Sequence, residues 1–527
     1  MEDDSLRSII KKRHVAVLLG AAAAVTLGVA QGFAAPAPGA VNAAPADGPD
    51  TATPIKHLVV IFPENISFDH YFGTYPNAAN PPGEPAFHAK PGTPSVNGLT
   101  PELLTNNPNS HNPQRLDRSE PLVCDQDHDY KAEQTAFDHG LMDKFVESTD
   151  NEKCAAPHIS KPGLVMDYYD GNTVTGLWNY AQRFSMSDNS YSTVFGPTVP
   201  GHLNLISGQT HGAVPSTPTP AVVNGTVIST SVSAGFEDCP KSPTAAKVEM
   251  TGRNVGDMLN AKGISWGYFA GGFRATSYRP DGTAVCDSHH INIGGENVED
   301  YHDTLEPFQY YRSTSNPHHL PPASVGEIGH NGQANHQYDT ADFWSSVDAG
   351  SMPSVSFLKP PVYQDAHPAQ SDPLDEQHFI VDTMNRLQKS PDWKSTAVVI
   401  AYDDSDGWYD HQMSPVINSS QSSQDALTGT GLCGARTPIA GYQNRCGYGP
   451  RQPLLVLSPY SKVNSVDHSI TDQTSILRFV EDNWLGGQRI GDGSFDEIAG
   501  TLNNMFDFAH PDPKPLLLDP ITGLPRG

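Results

Sequence analysis

The segment "IAYDDSDGWYDHQ", residues 400–412, places Asp403, Asp404, Asp406 and Asp410 within eight positions, with His411 behind them. They follow "TAVVIAY" (396–402), an apolar run that reads as a buried strand. A second apolar run, "IKHLVVIF" (55–62), ends in the same way, on Glu64 and Asn65 of "PENISFDHYFG". Adjacent carboxylates at a strand end repel each other unless a positive charge sits between them. Glu64, Asn65, Asp403 and Asp404 offer oxygen donors, the set that suits one hard divalent cation. The residues do not say which metal. The plainer reading of either stretch is a solvated acidic loop, and the match between two strand ends is what favours a cation. Asp406 and Asp410 either hold those ligands by hydrogen bonds or face solvent.

A hydroxyl is offered by "YSTVFGPTVPGHLNLISGQTHG" (191–212). Pro200 reads as a first-turn helix proline and Gly208 as a helix stop. Thr198 then lies at or just before a helix N-terminus, where amide donors and the helix dipole favour anions. Beside a metal, such a hydroxyl can attack phosphorus; without one it is a threonine that caps a helix. Of 22 histidines, several sit in polar loops: His128 in "DQDHDY", His289 and His290 in "CDSHHIN", His367 in "QDAHPAQ". Imidazoles can hold phosphate oxygens and protonate a leaving alkoxide. Any one of them could equally be a surface or satisfied core histidine, and only convergence in space decides.

The elements that must position these groups are short apolar strands separated by amphipathic helices. "ISWGYFA" (264–270), "SVSFL" (354–358) and "PLLVLS" (453–458) join the two strands above. "DEQHFIVDTMNRLQ" (375–388) and "DQTSILRFVEDNW" (472–484) read as helices, with Asp375 and Asp472 as caps or first-turn acids. The alternation predicts a parallel α/β sheet covered on both faces, with ligands outside the carboxyl ends of its strands. Regions 76–125 and 276–338 read as loop-rich insertions.

The ends of the chain are of another kind. Lys11, Lys12 and Arg13 precede an apolar run from Val15 to Ala30 and small residues around Ala34 and Ala35, the layout of a secretory leader over residues 1–35. An uncleaved anchor is the alternative, and no twin arginine fixes the route. Residues 36–54 form an Ala/Pro-rich linker, 55–508 a catalytic domain, and 509–527 a proline-rich tail that packs along the surface. Six cysteines fit an oxidising compartment, periplasmic or extracellular. Neighbour pairing, 124–154, 239–286 and 433–446, is the simplest of the fifteen arrangements. A formal charge of −27 leaves no general nucleic-acid footprint. Oligomeric state is not legible.

"HLVVIFPENISFDHYFGTYP" resembles the opening signature of the bacterial phosphoesterase family that holds acid phosphatases and non-haemolytic phospholipases C. "ISWGYFAGGF", "VVIAYDDSDGWYDH" and "LLVLSPYSKVNSVDHSITDQTSILRFVEDNW" follow in that family's order, over about residues 55–485. "GPTVPGHLNLISG" is similar to the nucleophile segment of the nucleotide pyrophosphatase/phosphodiesterases, within the wider alkaline phosphatase superfamily. The resemblance implies an alkaline-phosphatase-like α/β core, helices on both faces, and a smaller lobe made from the insertions. It implies metal ligation by Glu64, Asn65, Asp403 and Asp404 and a nucleophile at Thr198, where acid phosphatase members carry serine. It also implies phosphate contacts from His128, His289, His290 and His367; His468 falls in a family motif without a role.

The function expected is metal-dependent hydrolysis of a small phosphate monoester through a phosphothreonine, with His367 or His290 protonating the departing alcohol. A phospholipase C acting on membrane lipid is the alternative. It is disfavoured because the phospholipase pattern tends to Asp-Glu-His where Asp403-Asp404-Ser405 stands. A non-catalytic binding protein on the same scaffold is the reading of another class.

Overall fold

The computed structural model describes residues 50–151, 154 and 156–526. The leader and nearly all of the linker therefore lie outside the described residues. A nine-stranded sheet forms the centre. Its strands in chain order are β1 (His57–Ile61), β2 (Ser185–Tyr191), β3 (Trp266–Ala270), β4 (Gln337–Asp339) and β5 (Val355–Lys359). There follow β6 (Thr396–Ala401), β7 (Arg451–Leu457), β8 (Ser465–Asp467) and β9 (Thr471–Asp472). The spatial order is β4-β3-β5-β1-β6-β7-β2-β8, and β9 also pairs with β2.

The continuous apolar character of β1 and β6 follows from burial on both faces. Alternate side chains point to opposite sides of a strand. Leu58, Val60, Ala397 and Val399 therefore enter one core, and Val59, Ile61, Val398 and Ile400 enter the other. Truncating any one of the larger of these to alanine costs about 2–5 kcal/mol. The first core is closed by α3 (Thr198–Ser207), α4 (Val255–Lys262) and α6 (Gln473–Trp484), through Leu203, Leu259 and Leu477. The second is closed by α1 (Phe68–Phe72), α2 (Thr175–Arg183) and α5 (Pro373–Leu387), through Phe72, Trp178 and Val381. Asp472 caps α6, accepting from Thr474 N. On α5 the cap is Asp372, and Asp375 is the first-turn acid.

The sheet is mixed rather than wholly parallel. β1 pairs in parallel with β5 and β6, but β7 runs antiparallel to both β6 and β2. Apolar content alone carries no strand direction, so "PLLVLS" could not reveal this. The reversal has a use: β7 begins at the end where β6 finishes, so Arg451 sits buried beneath the acidic loop. β2, "SMSDNSY", lacks an apolar run and was not anticipated. Most of its polar residues are buried, and Asp188 accepts from Asn97 N at 2.7 Å and pairs with His468 at 2.7 Å.

Of the regions read as insertions, 276–338 carries two small hairpins, over residues 277–285 and 289–299, whereas a separate three-stranded sheet is built from Ala213–Pro215, Val232–Ala234 and Ala246–Met250, outside both regions. All three disulfides join sequence neighbours: Cys124–Cys154, Cys239–Cys286 and Cys433–Cys446. The tail is docked on α5: Leu516 N and Leu518 N donate to Gln388 and Asn385 at 2.8 and 3.0 Å, and Leu518 is buried. Among the described residues, no helix is long and apolar enough to cross a membrane.

Candidate active site

The ends of β1 and β6 lie side by side and deliver Glu64, Asn65, Asp403 and Asp404 to one place, each of them fully buried. Asn65 takes a left-handed backbone, φ 64°, which asparagine tolerates better than most residues. Its N–H donates to Asp403 Oδ1 at 2.9 Å. The amide of Asp404 also donates to Asp403 Oδ1, at 2.7 Å, and the amide of Asp406 donates to Asp404 Oδ1 at 2.8 Å. These bonds use one oxygen of each aspartate. The remaining oxygens, Glu64 Oε2, Asn65 Oδ1, Asp403 Oδ2 and Asp404 Oδ2, are buried without a hydrogen-bond partner, the last two each 3.9 Å from a histidine nitrogen, of His202 and His128 respectively.

Four buried, unpartnered acceptors at two adjoining strand ends are costly. A divalent cation satisfies such a set, so the four residues fit the group anticipated for them. The carboxyls of Asp403 and Asp404 are pushed well above the usual carboxylate range. Burial is the main cause, followed by neighbouring carboxylates: Asp404 and Glu64 act on the first, Glu64 and Glu133 on the second. A bound cation reverses that penalty. Asp406 is buried, not solvated, and accepts from Asn65 Nδ2 at 2.8 Å, which orients the asparagine. Asp410 is likewise buried, gripped by Arg451 Nε at 3.1 Å.

Two residues at this place were not singled out in the sequence. Lys359, the last residue of β5, puts Nζ 2.6 Å from Glu64 Oε1 and 3.3 Å from Asp365. His202 of α3 puts Nε2 2.9 Å from the same Glu64 oxygen. Burial favours a protonated Glu64, but the Lys359 ammonium and His202 outweigh it and hold its carboxyl below the ordinary range. His202 had a signal: it lies four residues after Thr198 and so on the same helix face. Lys359 had none, being the end of an apolar strand.

Pro197 occupies the cap position of α3 and no side chain caps this helix end, so Thr198 is the first helical residue rather than a capping threonine. Gly208, φ 62°, ends the helix as expected. The helix start lies against the backbone of Asp403, and a Cβ at Gly201 would collide with the Asp403 carbonyl group. Glycine there lets the hydroxyl-bearing turn approach the ligand-bearing loop.

Thr198, Glu64, His128 and His367 line one cavity of about 300 Å³. His128 Nδ1 lies 2.8 Å from the Gln126 carbonyl and His367 Nδ1 lies 2.7 Å from that of Pro368, so each ring uses Nδ1–H on backbone and keeps Nε2 for other work. Burial opposes charge on His128, but the carboxylates of Asp406 and Asp125 prevail and push its pKa up to about 9. Asp125, Lys241, His302 and Asp365 also line the cavity; Asp125 and Asp365 stand in the segments of His128 and His367, whereas nothing in the local sequence marked Lys241 or His302.

The structure does not bring His289 and His290 to this cavity. They stand on the exposed hairpin strand His289–Ile291, paired with Asn297–Glu299. His290 is bonded to Asp300 at 2.7 Å and stacked on Tyr363. Adjacent residues of a strand face opposite ways, so a His-His pair in extended chain cannot converge on one ligand without a twist of the backbone. His468 also lies outside the cavity lining, its side chain largely exposed.

The family model described as "Phosphoesterase family" matches residues 55–485. Phospholipase C A of Mycobacterium tuberculosis is 25% identical over 548 residues, covering 100% of this chain and 91% of the relative. The non-hemolytic phospholipase C of Pseudomonas aeruginosa is 24% identical, covering 88% of this chain and 58% of that longer protein. Among solved structures, the likeness extends to murine ectonucleotide pyrophosphatase/phosphodiesterase 5, 12% identical with a TM-score of 0.31 over 63% of this chain and 95% of that one. A protein of the alkaline phosphatase superfamily from Vibrio parahaemolyticus is 12% identical with a TM-score of 0.28, over 59% and 60% of the two chains.

Proposed function

The chain belongs to the phosphoesterase family and is a phosphoric ester hydrolase, and from that premise we propose that it hydrolyses small phosphate monoesters through a phosphothreonine at Thr198. The observation that supports this is that Thr198, at a helix start, lines one cavity with Glu64, one of the four residues with unpartnered oxygens, while the same helix packs at Gly201 against the Asp403 backbone. Glu64, Asn65, Asp403 and Asp404 would hold the metal ion, which supplies charge that polarises a phosphoryl oxygen and lowers the pKa of the Thr198 hydroxyl. The amides opening α3 receive phosphoryl oxygens. The Thr198 hydroxyl gives its proton to solvent as Oγ1 attacks phosphorus, a new P–O bond forms, and the ester P–O bond breaks. His367 gives the departing alkoxide a proton; His290 is too exposed and too occupied by Asp300 for that part. Water then attacks the phosphothreonine, releases inorganic phosphate and restores the hydroxyl.

The names of the relatives favour a second reading, phospholipase C. The cavity supports the first: among its described lining residues there is no Phe, Tyr or Trp, the rings that bind a quaternary ammonium headgroup. Export, which the three disulfides support, would put the enzyme in the periplasm or outside the cell.

The deciding assay is hydrolysis of para-nitrophenyl phosphate against para-nitrophenyl phosphorylcholine, with and without chelator. Preference for the monoester upholds the proposal, and preference for the choline diester transfers the same site to phospholipase chemistry. Thr198→Ala should abolish turnover and leave the protein folded. Unchanged turnover would refute the nucleophile, and a wild type inert towards both esters with metal present would point to a binding protein.

A further inference from the structure

Lys241 is, among the described residues lining the cavity, its one Lys or Arg. Three contacts set its place. Cys239, two residues earlier, is tied to Cys286. The Lys241 backbone N–H donates to Asp303 Oδ1 at 2.9 Å, while Asp303 Oδ2 accepts from Ala234 N at 3.0 Å, so one buried carboxylate clamps two passing segments. The ammonium itself lies 3.1 Å from His302 Nδ1. An ammonium has only protons to offer, so Nδ1 is the accepting nitrogen and His302 is a neutral ring. One proton of the ammonium is spent on that bond and two remain for the cavity.

Resting on the reading of this cavity as the phosphoester site, we propose that Lys241 selects for a doubly negative phosphoryl group, and so for monoesters over diesters. A monoester is close to dianionic above pH ~7, whereas a diester carries one charge at any ordinary pH. A flexible point charge with free donors rewards the additional anionic oxygen. Burial lowers the Lys241 pKa, and nearby carboxylates, Asp365 and Glu64 first among them, work against that. A lysine present merely to balance them would serve both kinds of anion alike.

The test is calorimetric titration of the metal-replete protein, at a pH of about 8, with inorganic phosphate and with dimethyl phosphate. Wild type should prefer phosphate. Lys241→Met should weaken phosphate binding by about tenfold or more and dimethyl phosphate by less than about threefold, and Lys241→Arg should restore part of the preference. Equal weakening of both anions, no weakening of either, or a wild type without preference would each overturn the proposal. No turnover is needed for this readout. Loss of the preference in Lys241→Met, alongside a wild type inert towards para-nitrophenyl esters, would retain the anion selector and refute the enzyme.

Discussion

His202 Nε2 and Glu64 Oε1 lie 2.9 Å apart with both side chains fully buried. That bond joins the helix carrying the hydroxyl to the strand end carrying a ligand. Thr198 is one turn away on the same helix, so the proposed nucleophile is held relative to the cradle by a residue that also comes within 3.9 Å of Asp403 Oδ2.

Replacing His202 by alanine should therefore act on the metal and on the chemistry together. Partners of this kind are worth about 10–100-fold in affinity or rate. Metal titration of the chelated variant should show weaker binding by that order, and kcat should fall with KM little changed. A normal metal affinity would show that Lys359 alone suffices to hold Glu64.

Chelation should lower thermal stability, because a cation in the proposed cradle would relieve four buried oxygens that have no hydrogen-bond partner. At free metal about a hundredfold over its Kd, the stabilisation is about 2.7 kcal/mol. Scanning calorimetry with and without chelator reads it. Asp404→Asn should abolish the metal-dependent part of the shift, and a melting temperature indifferent to chelation would contradict the cradle.

Gly201→Ala tests the close approach of α3 to the Asp403 backbone. Overpacking of this kind costs about 1–3 kcal/mol, and relief requires the helix start to move away from the ligand loop. Activity should drop at least about tenfold, since misplacement by an ångström is that costly in an oriented site. Denaturation and turnover measured on one preparation separate the two effects.

Outside the site, His319 and Glu237 form a buried pair at 2.6 Å. Nδ1 of the same ring lies 2.6 Å from the Phe273 carbonyl, so both nitrogens carry protons and the ring is an imidazolium. Burial lowers the His319 pKa, and Glu237 more than reverses this; burial raises that of Glu237, and His319 more than reverses that. The contribution of the histidine is complete below its unfolded value, about 6.5, and is lost as pH rises through its higher folded value. The contribution of the glutamate is complete above about 4.3 and is lost as pH falls through its depressed folded value. Stability should thus be best supported between these limits and decline on the alkaline side. His319→Ala should cost about 3 kcal/mol near pH 6 and flatten the alkaline limb, as read by denaturant unfolding across pH.

The cluster of Glu64, Asn65, Asp403 and Asp404, proposed as the metal cradle, was legible because each pair follows a strand that sequence periodicity reveals, and a parallel pairing of those strands brings the pairs together. The helix of Thr198 was legible from Pro200 and Gly208. Lys359, His202, Lys241 and His302 were not legible as a group, because they come from four separated segments and meet only through the fold. His289 and His290 suggested a site by adjacency, yet adjacency along a strand separates side chains. β2 escaped notice because its run is polar and its buried Asp188 is offset by bonds to distant loops, at Asn97 and His468, a compensation that hydropathy does not register.

None of the three disulfides joins two strands of the large sheet. Cys124 immediately precedes Asp125, Cys239 stands two residues before Lys241, and the Cys446 carbonyl accepts from Phe195 N, three residues before Thr198. Each cross-link thus steadies a segment that walls or approaches the cavity, while the sheet rests on its own two cores. Thiol chemistry and folding should consequently be separable in this protein: a reductant should slacken the mouth of the cavity before it disturbs the scaffold.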